Sequence, residues 1–173
     1  MLSGGHPNSL GRTLEVVDAV LADRSRLRDL YRCYFSENEV VRLRVSSAMK
    51  RVAIEHPDWT TEFIDGLQTE VAAIDQASTQ WTLALLFDLL VDRMSPDQRE
   101  RAVEIMQHNL ATHSDWIVLN NSMKVLGAWA DDDAELAEWL RPHARRLERD
   151  ERKSVASNAR TLLQRLAGDA SQA

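Results

Sequence analysis

One motif recurs four times at nearly constant spacing, and it constrains the fold more than any other feature of the chain. Val45-x-x-Ala48-x-x-x-Val52 overlays on Leu83-x-x-Leu86-x-x-x-Leu90, on Leu119-x-x-Ser122-x-x-x-Leu126 and on Ala156-x-x-Ala159-x-x-x-Leu163. The central positions 48, 86, 122 and 159 lie 38, 36 and 37 residues apart. Apolar positions three and four residues apart mark one face of a helix. A period near 37 leaves room in each copy for a preceding helix of opposite direction and a short turn. One such hairpin cannot cover its own apolar face, so hairpins stack on their neighbours as an α-solenoid.

The rest of the chain reads as helix too. Leu14, Val17, Val20 and Leu21 form a stripe within residues 10–22, and Leu27, Leu30, Tyr31 and Tyr34 continue it over 24–35. Ser36-x-x-Glu39 reads as a capping box opening the helix that carries Val41, Val45, Ala48 and Val52. His56-Pro57-Asp58 ends that helix, because the residue before proline avoids the α region, and Asp58 is placed to cap the next. Trp59, Phe63, Leu67, Val71 and Ile74 form the stripe that follows, and residues 79–93 are apolar on nearly every side. Ser95-Pro96-Asp97-Gln98 combines a serine N-cap, proline at the first helical position and glutamine at the third. Ser114 or Asp115 is expected to cap the helix through Trp116 and Trp129, and the acidic residues 131–133 to cap the one from Ala134. Pro142 is expected to kink or split that helix, and a last helix to span about 151–167. No run alternates apolar and polar residues between turn signals, and with Gly 6 and Pro 4 the chain is poor in turn formers. The class is all-α, with a short flexible tail at 1–9, one helical-repeat domain at 10–167 and a second tail at 168–173.

Glu39-x-Val41-Arg42-x-x-Val45-x-x-Ala48-Met49 resembles the second-helix pattern of the HEAT/armadillo repeats: an acidic residue, a Val-Arg pair, then small residues. Pro142 sits where that family often bends its first helix. The resemblance covers about residues 24–167. It implies a right-handed α-solenoid of about four HEAT-like helix pairs with an N-terminal capping helix. Only the first copy carries Val-Arg; the arginine position is Gln80, Trp116 and Lys153 in the others. The resemblance further implies a partner surface along the second helices. Carried onto this chain, that ridge holds Arg42, Ser46 and Lys50, then Gln80, Ala84 and Asp88, then Trp116, Asn120 and Lys124, then Lys153, Ser157 and Thr161. Partner-binding residues are expected among Arg42, Lys50, Gln80, Asp88, Trp116, Asn120, Lys124 and Lys153. Such a spread, polar ladder suits another protein or a peptide better than a small-molecule pocket.

Net charge is −6 but uneven. Residues 1–55 carry nine Lys/Arg against seven Asp/Glu, residues 56–140 four against sixteen, and residues 141–173 eight against four. The acidic middle repels a phosphate backbone, which disfavours nucleic acid as a partner. The single cysteine, Cys33, excludes an intramolecular disulfide and reads as a structural thiol, in keeping with a cytoplasmic protein. The opening MLSGGHPNS has neither a basic segment nor an apolar one, so no signal peptide is expected, and residues 81–91 are too short to cross a membrane.

Groupings that carry chemistry are missing from the sequence. His108 and His113 are five apart rather than four, and no H-E-x-x-H or paired E-x-x-H occurs. The glycines form no phosphate-binding array; Gly66 and Gly127 fall inside expected helices, where close approach of another helix explains them. No cofactor, metal site or catalytic residue is expected, and the reading is a non-enzymatic binding scaffold. The competing reading is a HEAT-like DNA glycosylase built on Trp81, Trp116, Asp88 and the basic segment 141–153. The last helix turns Ser154, Ser157, Asn158 and Arg160 outward as a polar cap, so a monomer or weak dimer is expected.

Overall fold

The structure is a computed structural model and describes residues 2, 3, 6 and 9–169. Among the described residues every regular element is helical. Two compact units divide the chain, Met1–Arg101 and Ala102–Ala173.

In the first unit α1 (Thr13–Ala22) is followed by α2 (Leu27–Arg32), which has a 3-10 turn at each end, and then by α3 (Glu39–Glu55). α4 (Pro57–Thr60) and α5 (Ile64–Gly66) are short pieces leading into a π-helical turn at Leu67–Val71, and α6 (Ala77–Leu90) returns beside α3. The boundary between units falls within α7 (Pro96–Thr112). The second unit continues with α8 (Trp116–Trp129), α9 (Ala134–Leu147) and α10 (Lys153–Asp169), and α10 packs on both α8 and α9.

The repeated motif forms the core of both units. Val45, Ala48, Val52, Leu83, Leu86, Leu90, Leu119, Ser122, Leu126, Ala156 and Ala159 are all buried. Leu163 is half-buried, and Leu162 beside it takes the inward place. Each buried aliphatic side chain contributes roughly 1.5–3 kcal/mol, so these layers outweigh any surface interaction described below.

Several local expectations need correction. Ser36 does not cap α3; Asn38 does, its Oδ1 accepting from the amides of Val40 (2.9 Å) and Val41 (3.3 Å). Asp58 is not the cap of α4, whose N-cap position is His56. The continuous helix expected over 59–74 is broken into α, 3-10 and π turns. α9 runs unbroken through Pro142. The last helix starts at Lys153 because Asp150 Oδ1 accepts from the Arg152 amide and ends the turn before it. The Ser95–Gln98 box forms in full, Ser95 Oγ accepting from the Gln98 amide (3.2 Å) and Gln98 Oε1 from the Ser95 amide (3.0 Å). Asp115 rather than Ser114 caps α8, and Asp133 caps α9.

Of the stretch expected to be a flexible tail, residues 1, 4, 5, 7 and 8 lie outside the described residues, as do 170–173 at the other end. The described part is anchored. Arg44, fully buried on α3, donates to the carbonyls of Leu2 (2.6 Å), His6 (3.1 Å) and Ser9 (3.1 Å). Gly11 makes room for this guanidinium: its φ is +51°, and a Cβ there would lie 2.7 Å from Arg44 Cζ.

Candidate binding groove

The structure sorts the expected partner-binding residues into two groups. Arg42 and Gln80 point into the fold. Arg42 Nε donates to Gln76 Oε1 (2.6 Å) and Nη1 to the Ser36 carbonyl (2.6 Å), while Gln76 Nε2 donates to the Glu39 carbonyl (3.0 Å). Together they tie the turn before α6 to the start of α3. Gln80 is buried and donates to the carbonyls of Ala72 and Ile74, both at 2.9 Å, which satisfies acceptors that the end of a helix leaves open. Ser46 and Ala84 are buried as well. On these two helices Lys50 is half-buried and Asp88 is exposed.

The second group reaches the surface of the second unit. Trp116 is 48% exposed, Lys124 and Lys153 are exposed, and Asn120 is half-buried. Trp116, Asn120 and Lys124 are spaced by four residues and share one face of α8. α10 runs parallel to α8, because two cross-links keep the same offset. Asn120 Nδ2 approaches Ser154 Oγ at 3.5 Å near the helix starts, and Arg165 Nε donates to Asp131 Oδ1 at 2.6 Å just past the end of α8.

Between those cross-links lies a groove of about 240 Å³. Its floor is Met123, Gly127 and Leu162, and its walls are Asn120, Asn121 and Lys124 from α8 and Asn158, Thr161 and Arg165 from α10. Gly127 lets the helices close in: a Cβ there would lie 2.6 Å from Leu162 Cδ1. Asn120 Oδ1 is buried and has no hydrogen-bond partner among the described residues. At the far end Arg165 holds the Asp131 carboxyl below its usual range through a paired hydrogen bond.

Of the expected residues, the groove therefore brings together Asn120, Lys124 and Thr161. Trp116 precedes them by one helical turn, and Lys153 starts α10. The ladder drawn through Lys153, Ser157 and Thr161 stopped one turn short of Arg165 and missed Asn158, which lies one residue over on the same helix. A signal for them existed in the charge pattern. α8 contains no carboxylate, and α10 contains one, its final residue Asp169.

The first unit has a larger hollow, about 540 Å³, lined by Val16, Ala19, Val20, Leu30 and Val41 with Leu2 and Cys33 at its edge. Its charged residues, Arg26 and Asp29, are engaged in ion pairs with Asp23 and Arg32. Cys33 donates to the Asp29 carbonyl (3.2 Å), and burial pushes its thiol up. Among the described residues no three His, Cys, Asp or Glu side chains gather as a metal site, and no helix is long and apolar enough to cross a membrane. No family model matches the chain, and neither a curated protein nor a solved structure matches it.

Proposed function

We propose that the protein is a non-catalytic helical-repeat scaffold that binds a segment of another protein along the second helices, with the working surface on α8 and α10. The observation that carries this reading is the groove itself. It runs between two parallel helices and is walled by three asparagines, and a large exposed aromatic stands one turn from its mouth. Asparagine supplies both donors and acceptors, as a peptide backbone requires, and exposed tryptophan is a common anchor at interfaces. The reading places the protein in the cytoplasm as a monomer or weak dimer.

Long-range hydrogen bonds within each unit support a HEAT-like build. They join residues 34 to 38 positions apart. In the first unit Arg24 and Arg28 meet Glu62 at offsets of 38 and 34, and Arg42 meets Gln76 at 34. In the second, Arg146 meets Leu110 at 36, Arg152 meets Ser114 at 38 and Arg165 meets Asp131 at 34. Stacked repeats of about 37 residues produce this pattern, whereas an irregular bundle has no reason to.

Selection of a phage-displayed random peptide library on the full chain tests the proposal. Selected peptides are expected to lose about thirtyfold or more in affinity on Trp116→Ala, the size of a hot-spot truncation of 2 kcal/mol. Peptides that bind Trp116→Ala and Asn120→Leu as tightly as the parent protein would refute the assignment, as would the recovery of no binder.

A further inference from the structure

Charge on the two groove helices runs against the charge of the molecule. The chain carries −6 overall, yet α8 holds Lys124 and no carboxylate. α10 holds Lys153, Arg160 and Arg165, and its one carboxylate is the terminal Asp169. The carboxylates of this unit lie elsewhere, on α7, on α9 and in the turns; among them, Asp131 closes the far end of the groove on Arg165.

From this we propose that the occupant of the α8–α10 groove is an extended acidic peptide segment with an apolar side chain. The inference rests on the binding role proposed above and adds the chemistry of the partner. Lys124 stands on the groove wall as a point charge for a carboxylate. Asn121 and Asn158 on the groove walls offer amide donors and acceptors to a peptide backbone. Met123 and Leu162 form an apolar floor beside Gly127, whose missing side chain leaves room that Leu162 fills, and this floor meets the peptide's apolar side chain. The Arg165–Asp131 pair shows the contact the groove makes with an acid: a carboxylate gripped by Nε and Nη2 together. A nucleic acid fits less well. The groove lining holds no aromatic ring on which bases could stack.

The test is fluorescence anisotropy on the full chain with labelled decapeptides of one design. Each has a central leucine flanked by four Glu, by four Gln or by four Lys, and a ten-nucleotide oligothymidylate is the fourth probe. The Glu peptide is expected to bind at least tenfold tighter than the Gln and Lys peptides, and more weakly as salt rises. Lys124→Glu, at an exposed site, is expected to weaken it about tenfold, and Lys153→Glu to weaken it less. Arg145→Glu, exposed on α9 away from the groove lining, is expected to change it less than twofold. Equal binding of Glu and Gln peptides, both lost on Trp116→Ala, would overturn the acidic preference and leave the peptide-binding role intact. Binding of the Glu peptide that ignores Lys124→Glu, or no binding of any peptide, would overturn this inference on its own terms. Oligothymidylate bound as tightly and lost on Lys124→Glu would reassign the face to nucleic acid.

Discussion

Replacing Gly66 by alanine separates packing from helix propensity, because the two act in opposite directions there. Gly66 has helical angles, φ −65° and ψ −36°, so alanine alone should stabilise by about 1 kcal/mol. Its Cβ, however, would lie 2.1 Å from Tyr31 Oη and 3.0 Å from Tyr31 Cζ. The tyrosine cannot easily swing away. Its ring stacks on Phe63 at 4.7 Å and meets Tyr34 and Phe35 edge-on at 5.9 and 5.7 Å, and its hydroxyl donates to Glu70 at 3.3 Å. Overpacking of this kind costs about 1–3 kcal/mol, and a displaced hydroxyl loses a bond to a carboxylate worth about 1.5 kcal/mol. The sum less the propensity gain is a net loss of about 2 kcal/mol. Urea unfolding followed by circular dichroism should show it in Gly66→Ala, and Tyr31→Phe, which removes the clashing oxygen, should bring the cost of Gly66→Ala near zero. A Gly66→Ala variant as stable as its parent, or one equally destabilised in both backgrounds, would refute the close approach.

Three further perturbations probe other parts of the molecule. Arg44→Ala should release the N-terminal segment, destabilise the protein by about 3 kcal/mol and speed tryptic cleavage after Arg12; Arg44→Lys should rescue little, since an ammonium lacks the planar fork that spans three carbonyls. Pro142→Ala should stabilise by more than about 1 kcal/mol in thermal unfolding, because α9 passes through an exposed proline that interrupts its hydrogen bonding. Asp150, held down to about 2 by hydrogen bonds from Arg152, has a folded pKa below its unfolded one. Its contribution is present above the unfolded value near 4 and lost as pH falls toward 2. Asp150→Asn should therefore be less stable than the parent by about 1 kcal/mol at pH 7, the Arg152 side chain being 41% exposed and so screened by solvent, with the gap closing between pH 4 and 2.

What the sequence reveals of this protein depends on how local the cause is. The buried faces of α3, α6, α8 and α10 follow from three- and four-residue spacing, and the caps at Ser95 and Asp115 follow from side chains within three residues of the amides they serve. Polar residues on the same helices are harder to read. Arg42 and Gln80 stand on the polar side of the pattern, yet they face inward to satisfy carbonyls of neighbouring turns. A hydrophobicity pattern equates polar with outward and has no term for an acceptor left open nearby. Distant causes are harder still. Leu2, His6 and Ser9 belong to a stretch with the composition of a loose end, and the residue that anchors these three lies 35 to 42 positions away. The break between α4 and α6 has one local sign, Gly66, whose reason is a tyrosine on another helix. At the groove Trp116, Asn120 and Lys124 were readable as one helical face and Arg165 continues the ladder through Thr161, whereas Asn158 required the rotation of α10 about its axis, which the packing of Leu162 sets.

A titration of the ¹⁵N-labelled protein with the glutamate-rich decapeptide, followed by heteronuclear NMR, bears most directly on the central claim. The expected shifts fall on the side-chain amides of Asn120, Asn121 and Asn158, the Trp116 indole N–H, and the backbone of α8 and α10 from Asn120 to Arg165 where the two helices face each other. Shifts confined to α9 or to the residues before Arg101, or no shifts at saturating peptide, would contradict the assignment of this groove as the binding surface.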